Sequence, residues 1–113
     1  DITVISGEDS LTYPLIAIGA KGVISVTANI APKLVHDMVW AALKGDMKKA
    51  RELHKKHYPL SKVAFIETNP IPAKTALGLM GKIAPDLRLP LCEMRPENQK
   101  KLTEVLRKIG VLK

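Results

Sequence analysis

The sequence predicts an α/β fold built on a parallel sheet that these 113 residues do not complete. Three observations lead there. Residues 2–6, Ile-Thr-Val-Ile-Ser, are a β-branched run of the kind found in a strand buried on both faces. Residues 22–27, Gly-Val-Ile-Ser-Val-Thr, read as a second such strand. The residues between them carry a helix with short loops at each end, so the unit is βαβ, with parallel strands and a right-handed crossover. No convincing strand follows. Two parallel strands leave edges and faces uncovered, so further strands are expected from absent sequence or from another chain. A doubly wound sheet and a (β/α)8 barrel both satisfy this pattern.

The elements follow in order from local chemistry. Ser6-Gly7-Glu8-Asp9-Ser10 supplies a loop and a helix N-cap, and that helix is expected to run to about Ile18. Pro14 falls near its first turn, where proline costs least, and Gly19 stops it. Pro32 opens a second helix with Leu34, Val35, Met38, Val39 and Ala42 on its apolar face, ended by Gly45. Asp46 caps a third, in which Met47, Ala50, Leu53, His57, Leu60 and Ala64 recur at helical spacing. Pro59 is expected to kink that helix or split it in two. Asn69-Pro70 reads as an N-cap followed by a first-turn proline, and Gly81 closes that helix. Residues 82–95 read as irregular, with Leu87, Leu89 and Leu91 packing down. Pro96 opens the last helix, with Leu102, Val105, Leu106 and Ile109 buried and Gly110 ending it.

Length and composition fit one domain with a modest core and ordinary apolar content. No apolar run approaches the roughly 20 residues of a membrane helix. The chain opens at Asp1 inside a strand-like run, without an initiator Met or a signal-like segment, which reads as an internal start. Cys92 is alone, so no internal disulfide forms, nothing points to an oxidising compartment, and the residue reads as a small semi-buried hydrophobe. The net charge is +7, with basic residues clustered in 44–62 and 100–113. A basic chain can bind nucleic acid, but here acidic residues interrupt the clusters and aromatic residues are few. A solvated helical surface is the expected reading.

In parallel α/β folds, sites form at the carboxyl ends of strands. Those ends are Ser6-Gly7-Glu8-Asp9 and Thr27-Ala28-Asn29. Gly7 permits close backbone approach. Glu8 and Asp9 are candidates for acid or base, against the plainer reading that Asp9 or Ser10 caps the helix and Glu8 is solvated. Asn29 reads as a cap for the following helix or as a ligand contact. Lys21 adjoins a strand but at its amino end, away from the expected site. His54 and His57 share a helix face at i, i+3, but no third ligand completes a metal site, and they read as surface or half-buried histidines. No P-loop, GxGxxG or GxSxG motif occurs. Asn69-Pro70-Ile71-Pro72 is a proline-locked turn that can fix an Asn side chain pointing into a site.

Three segments together resemble one family. They are ISGEDSLTYPLIAIGAKGVISVTANIAP at residues 5–32, ETNPIPAKTALGLMG at 67–81, and LRLPL at 87–91. In order and spacing they resemble the C-terminal part of the dihydrodipicolinate synthase family, pyruvate-dependent class I aldolases related to N-acetylneuraminate lyase. The resemblance covers essentially the whole chain. It implies the C-terminal portion of a (β/α)8 barrel: residues 1–44 as strand seven, helix seven, strand eight and helix eight, and residues 45–113 as a C-terminal helical extension. It implies condensation of pyruvate with aspartate semialdehyde through a lysine Schiff base, in lysine and diaminopimelate biosynthesis, in the cytoplasm, with no cofactor and no metal. The reacting lysine and the proton-relay tyrosines of the family match no position in this chain.

Three positions carry over as substrate-binding candidates. Ile24 matches a strand-eight residue whose backbone carbonyl lines the pyruvate pocket. Gly7 matches the glycine after strand seven, beside the substrate mouth. Asn69 matches the asparagine of the NP turn. Glu8 and Asp9 stand where the family has an acidic pair, with Glu in place of the commoner Asp. The implied partners are the two substrates, the remaining N-terminal barrel half and copies of the subunit in a homotetramer arranged as a dimer of dimers, with no nucleic acid and no membrane. Two rivals stand beside this reading: a sister aldolase acting on a sugar acid, and a basic helical module that binds nucleic acid.

Overall fold

The computed structural model describes residues 1–113. The chain forms two compact units, Asp1–Tyr58 and Pro59–Lys113.

In the first unit, the two expected strands meet in one isolated parallel bridge between Ser6 and Val23. The parallel direction agrees with the βαβ reading; the extended strands do not form. The backbone bonds show why. Ser6 N–H donates to Gly22 O (2.8 Å) and Ile24 N–H to Ser6 O (2.9 Å), but the next bond runs from Lys21 N–H to Val4 O (2.9 Å). A regular parallel ladder would take that bond from Gly22, so the pairing slips by one residue immediately beside the bridge. On the other side, residues 25–29 leave the extended direction and close a 3₁₀ turn over Thr27–Asn29.

A 3₁₀ turn over Asp9–Leu11 leads into helix α1, Thr12–Ala17. Helix α1 is shorter than expected at its start, because Glu8 caps the preceding turn and Ser10 is not the cap. Gly19, at φ 114°, turns the chain back toward the bridge. Helix α2, Pro32–Leu43, starts at the expected proline. Asn29 does not cap it: its amide donates to Val26 O and closes its own turn. Helix α3, Met47–Val63, is capped by Asp46, whose Oδ1 accepts from Lys49 N–H at 3.1 Å. It runs through Pro59 as one helix rather than two, although the boundary between the compact units falls at that proline. The core of the first unit joins Ile16, Ala20, Ala41, Ala42 and Ala50, with Tyr13, Leu15 and Val39 packed against it. Small alanines on α2 and α3 let the helices and the α1 side chains approach closely.

In the second unit, helix α4 is Ile71–Leu79 and helix α5 is Pro96–Ile109. Helix α4 begins one residue later than expected: Pro70 occupies the cap position and no side chain caps the helix. Its Gly78 faces the Pro85 ring so closely that a Cβ there would stand 2.9 Å from the proline Cβ. Residues 82–95 form no regular element, as expected, and are held at their ends by side chains. Lys74 Nζ donates to Asp86 O, and Glu67 Oε1 accepts from Arg95 N–H (3.0 Å) and Asn98 Nδ2 (2.8 Å). Leu87 and Leu91 are half-buried, but Leu89 is 91% exposed and Cys92 is exposed, against the expectation for both. Leu102, Leu106 and Ile109 form the buried face of α5.

Gly45 and Gly110 both hold positive φ, 82° and 83°, at the ends of α2 and α5. An L side chain in that conformation costs about 1 kcal/mol, because its Cβ meets the following carbonyl. Gly45→Ala and Gly110→Ala are each expected to lower stability by about 1 kcal/mol in urea denaturation followed by circular dichroism. Leu102→Ala, which empties a fully buried position, is expected to cost about 2–5 kcal/mol.

Candidate functional site

The chemistry of the first unit gathers on one buried carboxylate. Asp9 is 2% exposed, and Thr27 and His57 are fully buried. Asp9 Oδ1 accepts from the hydroxyls of Ser25 and Thr27, the latter at 2.7 Å. Asp9 Oδ2 accepts from Val26 N–H (3.0 Å) and Thr27 N–H (3.2 Å). Four donors from one short turn therefore satisfy both oxygens, which is what a buried carboxylate requires. Ser25 Oγ also accepts from Ala28 N–H at 2.9 Å, so the turn is tied at every residue from 25 to 28.

The network continues to α3. Thr27 Oγ1 lies 2.7 Å from His57 Nε2. A hydroxyl has one proton, and that proton goes to Asp9, so the threonine oxygen accepts and His57 Nε2–H donates. His57 Nδ1 then carries a lone pair, buried and without a partner. Burial holds the His57 pKa below the ordinary value of 6.5; the Asp9 carboxylate, with Oδ1 at 4.0 Å, pulls it up by less, and His54 pushes it further down. His54 is lowered by burial as well. Its ring packs between Tyr13 (5.3 Å) and Tyr58 (5.7 Å).

Glu8 is solvated as expected, but it takes the capping role expected of Asp9 or Ser10. Glu8 is the cap, exposed, with Oε1 accepting from Ser10 N–H (3.0 Å) and Ser10 Oγ (2.7 Å). Asp9 caps nothing and is buried in the Ser25–Thr27 turn. His57 is likewise not a surface or half-buried residue. Spacing along α3 marked its face as inward, but no pattern in the sequence links residue 57 to residue 27.

Of the three candidate binding residues, Gly7 and Ile24 come together. Gly7 follows the bridged Ser6, and Ile24 N–H donates to Ser6 O. Gly7 has no atom within 4 Å of where a Cβ would stand. The Ile24 side chain is 78% exposed. Asn69 lies in the second unit, exposed, joined to Pro70 by a cis peptide bond.

The profile of the dihydrodipicolinate synthetase family matches residues 1–109. The chain belongs to that family. Among curated relatives, the 4-hydroxy-tetrahydrodipicolinate synthase of Methanocaldococcus jannaschii is 60% identical over 111 residues, covering 98% of this chain and 38% of the relative. The enzyme of the same name from Hydrogenobaculum is 53% identical over 112 residues, 99% of this chain and 39% of the relative. The crystal structure of dihydrodipicolinate synthase from Aquifex aeolicus superposes with a TM-score of 0.94 at 54% identity, over 97% of this chain and 38% of that one. The synthase from Thermotoga maritima gives 0.96 at 45% identity, over 99% and 38%. The chain thus spans somewhat over a third of the length of these family members, and its two units have the conformation of the matching part. No helix is long and apolar enough to cross a membrane.

The two lowered histidines give stability a defined pH dependence. Each folded pKa lies below the unfolded value of 6.5, so the folded state resists protonation. Their contribution is fully present above 6.5 and is lost as pH falls from there through the folded values. Urea melts of this polypeptide are expected to show stability falling as pH drops below about 7. In His57→Gln, which cannot take up that proton, the fall is expected to be smaller. An equal fall in both proteins would remove His57 as its source.

Proposed function

We propose that this chain works as the C-terminal part of a 4-hydroxy-tetrahydrodipicolinate synthase subunit, which condenses pyruvate with aspartate semialdehyde in lysine and diaminopimelate biosynthesis. The observation that carries this reading is 60% identity to a synthase of that name across nearly the whole chain. In this reading residues 1–44 end a (β/α)8 barrel and residues 45–113 are its helical extension. The exposed apolar side chains on the bridged segments support it: Ile2 is 92% exposed, with Val4, Ile5 and Ile24 also open to solvent. Those are the side chains that neighbouring strands and helices of a closed barrel would cover.

The chemistry follows from the parts. A lysine amine contributed from outside these residues attacks the pyruvate keto carbon and water leaves, giving an imine. Loss of a methyl proton turns the imine into an enamine, whose carbon attacks the aldehyde. This chain supplies walls and no nucleophile. The Ile24 carbonyl lines the pyruvate pocket and Gly7 admits substrate close to the backbone; Asn69 of the NP turn is the third binding residue that the family resemblance carries over. The subunit acts in the cytoplasm as a homo-oligomer, a tetramer built as a dimer of dimers.

Borohydride trapping tests the reading. The full-length subunit, incubated with pyruvate and reduced, is expected to gain one pyruvyl group by mass spectrometry, on a lysine outside these residues. The 113-residue polypeptide alone is expected to gain none. An adduct on Lys21 or any other lysine of this chain would overturn the assignment. Turnover of the full-length subunit with aspartate semialdehyde, and not with a sugar aldehyde, separates it from a sister aldolase.

A further inference from the structure

A single parallel bridge is a weak fixture for a backbone that must hold a ligand. Ile24 is held by its N–H bond to Ser6 O, and on the amino side of the bridge the pairing slips by one residue at Lys21. What fixes the chain after Ile24 is the side-chain cluster at residues 25–28, closed over Asp9. The Thr27 hydroxyl is the joint in that cluster. Its proton can point to Asp9 Oδ1 at 2.7 Å or toward Ser25 Oγ at 3.2 Å. An N–H arriving at the threonine oxygen from His57, also at 2.7 Å, occupies a lone pair and leaves the proton aimed at Asp9.

We propose that His57 is a positioning residue for the substrate pocket: through Thr27 and Asp9 it fixes the turn after Ile24, and so fixes where the Ile24 carbonyl stands beside Gly7. The inference deepens the synthase reading and rests on it, since it takes Ile24 and Gly7 as pocket backbone. The burial of His57 argues for this role over a stabilising one. Its Nδ1 is buried with no partner, so the imidazole occupies an interior position at a cost that an apolar side chain of similar size would not incur. Its Nε2 stands within hydrogen-bond distance of the Thr27 hydroxyl, at 2.7 Å.

The test uses the full-length subunit and separates binding from turnover. His57→Leu removes the donor and keeps the volume; His57→Gln restores an N–H near the position of Nε2. His57→Leu is expected to melt within a few degrees of wild type and to raise KM for pyruvate on the order of tenfold, with kcat changed less than about twofold. That split is the signature of a lost contact shared by ground and transition states. His57→Gln is expected to return KM to within about threefold of wild type. Should leucine at 57 fail to fold, Thr27→Val against Thr27→Ser asks the same question: valine is expected to raise KM and serine, which keeps the hydroxyl, to leave it near wild type.

Unchanged KM in a folded His57→Leu protein would overturn the proposal. So would equal impairment of the leucine and glutamine variants, or a KM for Thr27→Val that matches Thr27→Ser. A wild-type subunit that takes up no pyruvyl group in borohydride trapping would instead sink the synthase reading, and this inference with it.

Discussion

The Asp9 carboxylate is buried, and a buried charge persists only where donors meet it. All four of its donors come from residues 25–27: two hydroxyls and two backbone N–H groups. That requirement dictates the local path of the chain. Successive N–H groups of Val26 and Thr27 reach the same oxygen only if the backbone curls, so the extended run ends after Ile24 and a 3₁₀ turn follows. The same curl sets Thr27 Oγ1 between the carboxylate and α3, where His57 meets it. The bend at the end of the second extended segment, the approach of Thr27 to α3 and the inward turn of His57 are consequences of one acid side chain being placed inside.

The bridged segments pose the opposite problem. Ile2, Val4, Ile5 and Ile24 expose apolar side chains on the pieces of chain that pair through Ser6 and Val23. A parallel ladder gains little from one pair, since each strand has a second edge and two faces to satisfy. The family members that match this chain are more than twice its length, and the proposed barrel supplies strands for both edges. Sequence that reads as strand and structure that shows one bridge are therefore compatible: β-branched runs specify a strand in company, and the propensity is a statement about packing against neighbours.

The helices were legible because their punctuation is local. Pro32 and Pro96 open α2 and α5, Asp46 caps α3, and Gly45, Gly81 and Gly110 sit at helix ends with positive φ. Each signal acts within a turn of chain and needs no tertiary context. The division of labour between Glu8 and Asp9 was not legible, because either carboxylate can cap a turn. Which one goes inside depends on hydroxyls some 16 to 18 positions away. His57 was further out of reach. Helical spacing placed it on the inward face, but its partner lies 30 positions upstream, and no short motif spans that distance. Leu89 and Cys92 failed for a related reason: irregular chain carries no period from which to read which side chains face in.

A site lined by backbone shifts the burden of precision away from the residues that touch the ligand. On the proposed reading, Ile24 offers a carbonyl that every amino acid possesses, and Gly7 offers the absence of a side chain. Neither position carries distinctive chemistry, so what makes the pocket work is where the backbone stands. On that reading the position is held by groups behind it: a carboxylate, two hydroxyls and an imidazole. On that reading Asp9 and His57 belong to the fixture, while Glu8 stays exposed and caps its own turn. The burial of Asp9 and His57 shields their hydrogen bonds from competition by bulk water.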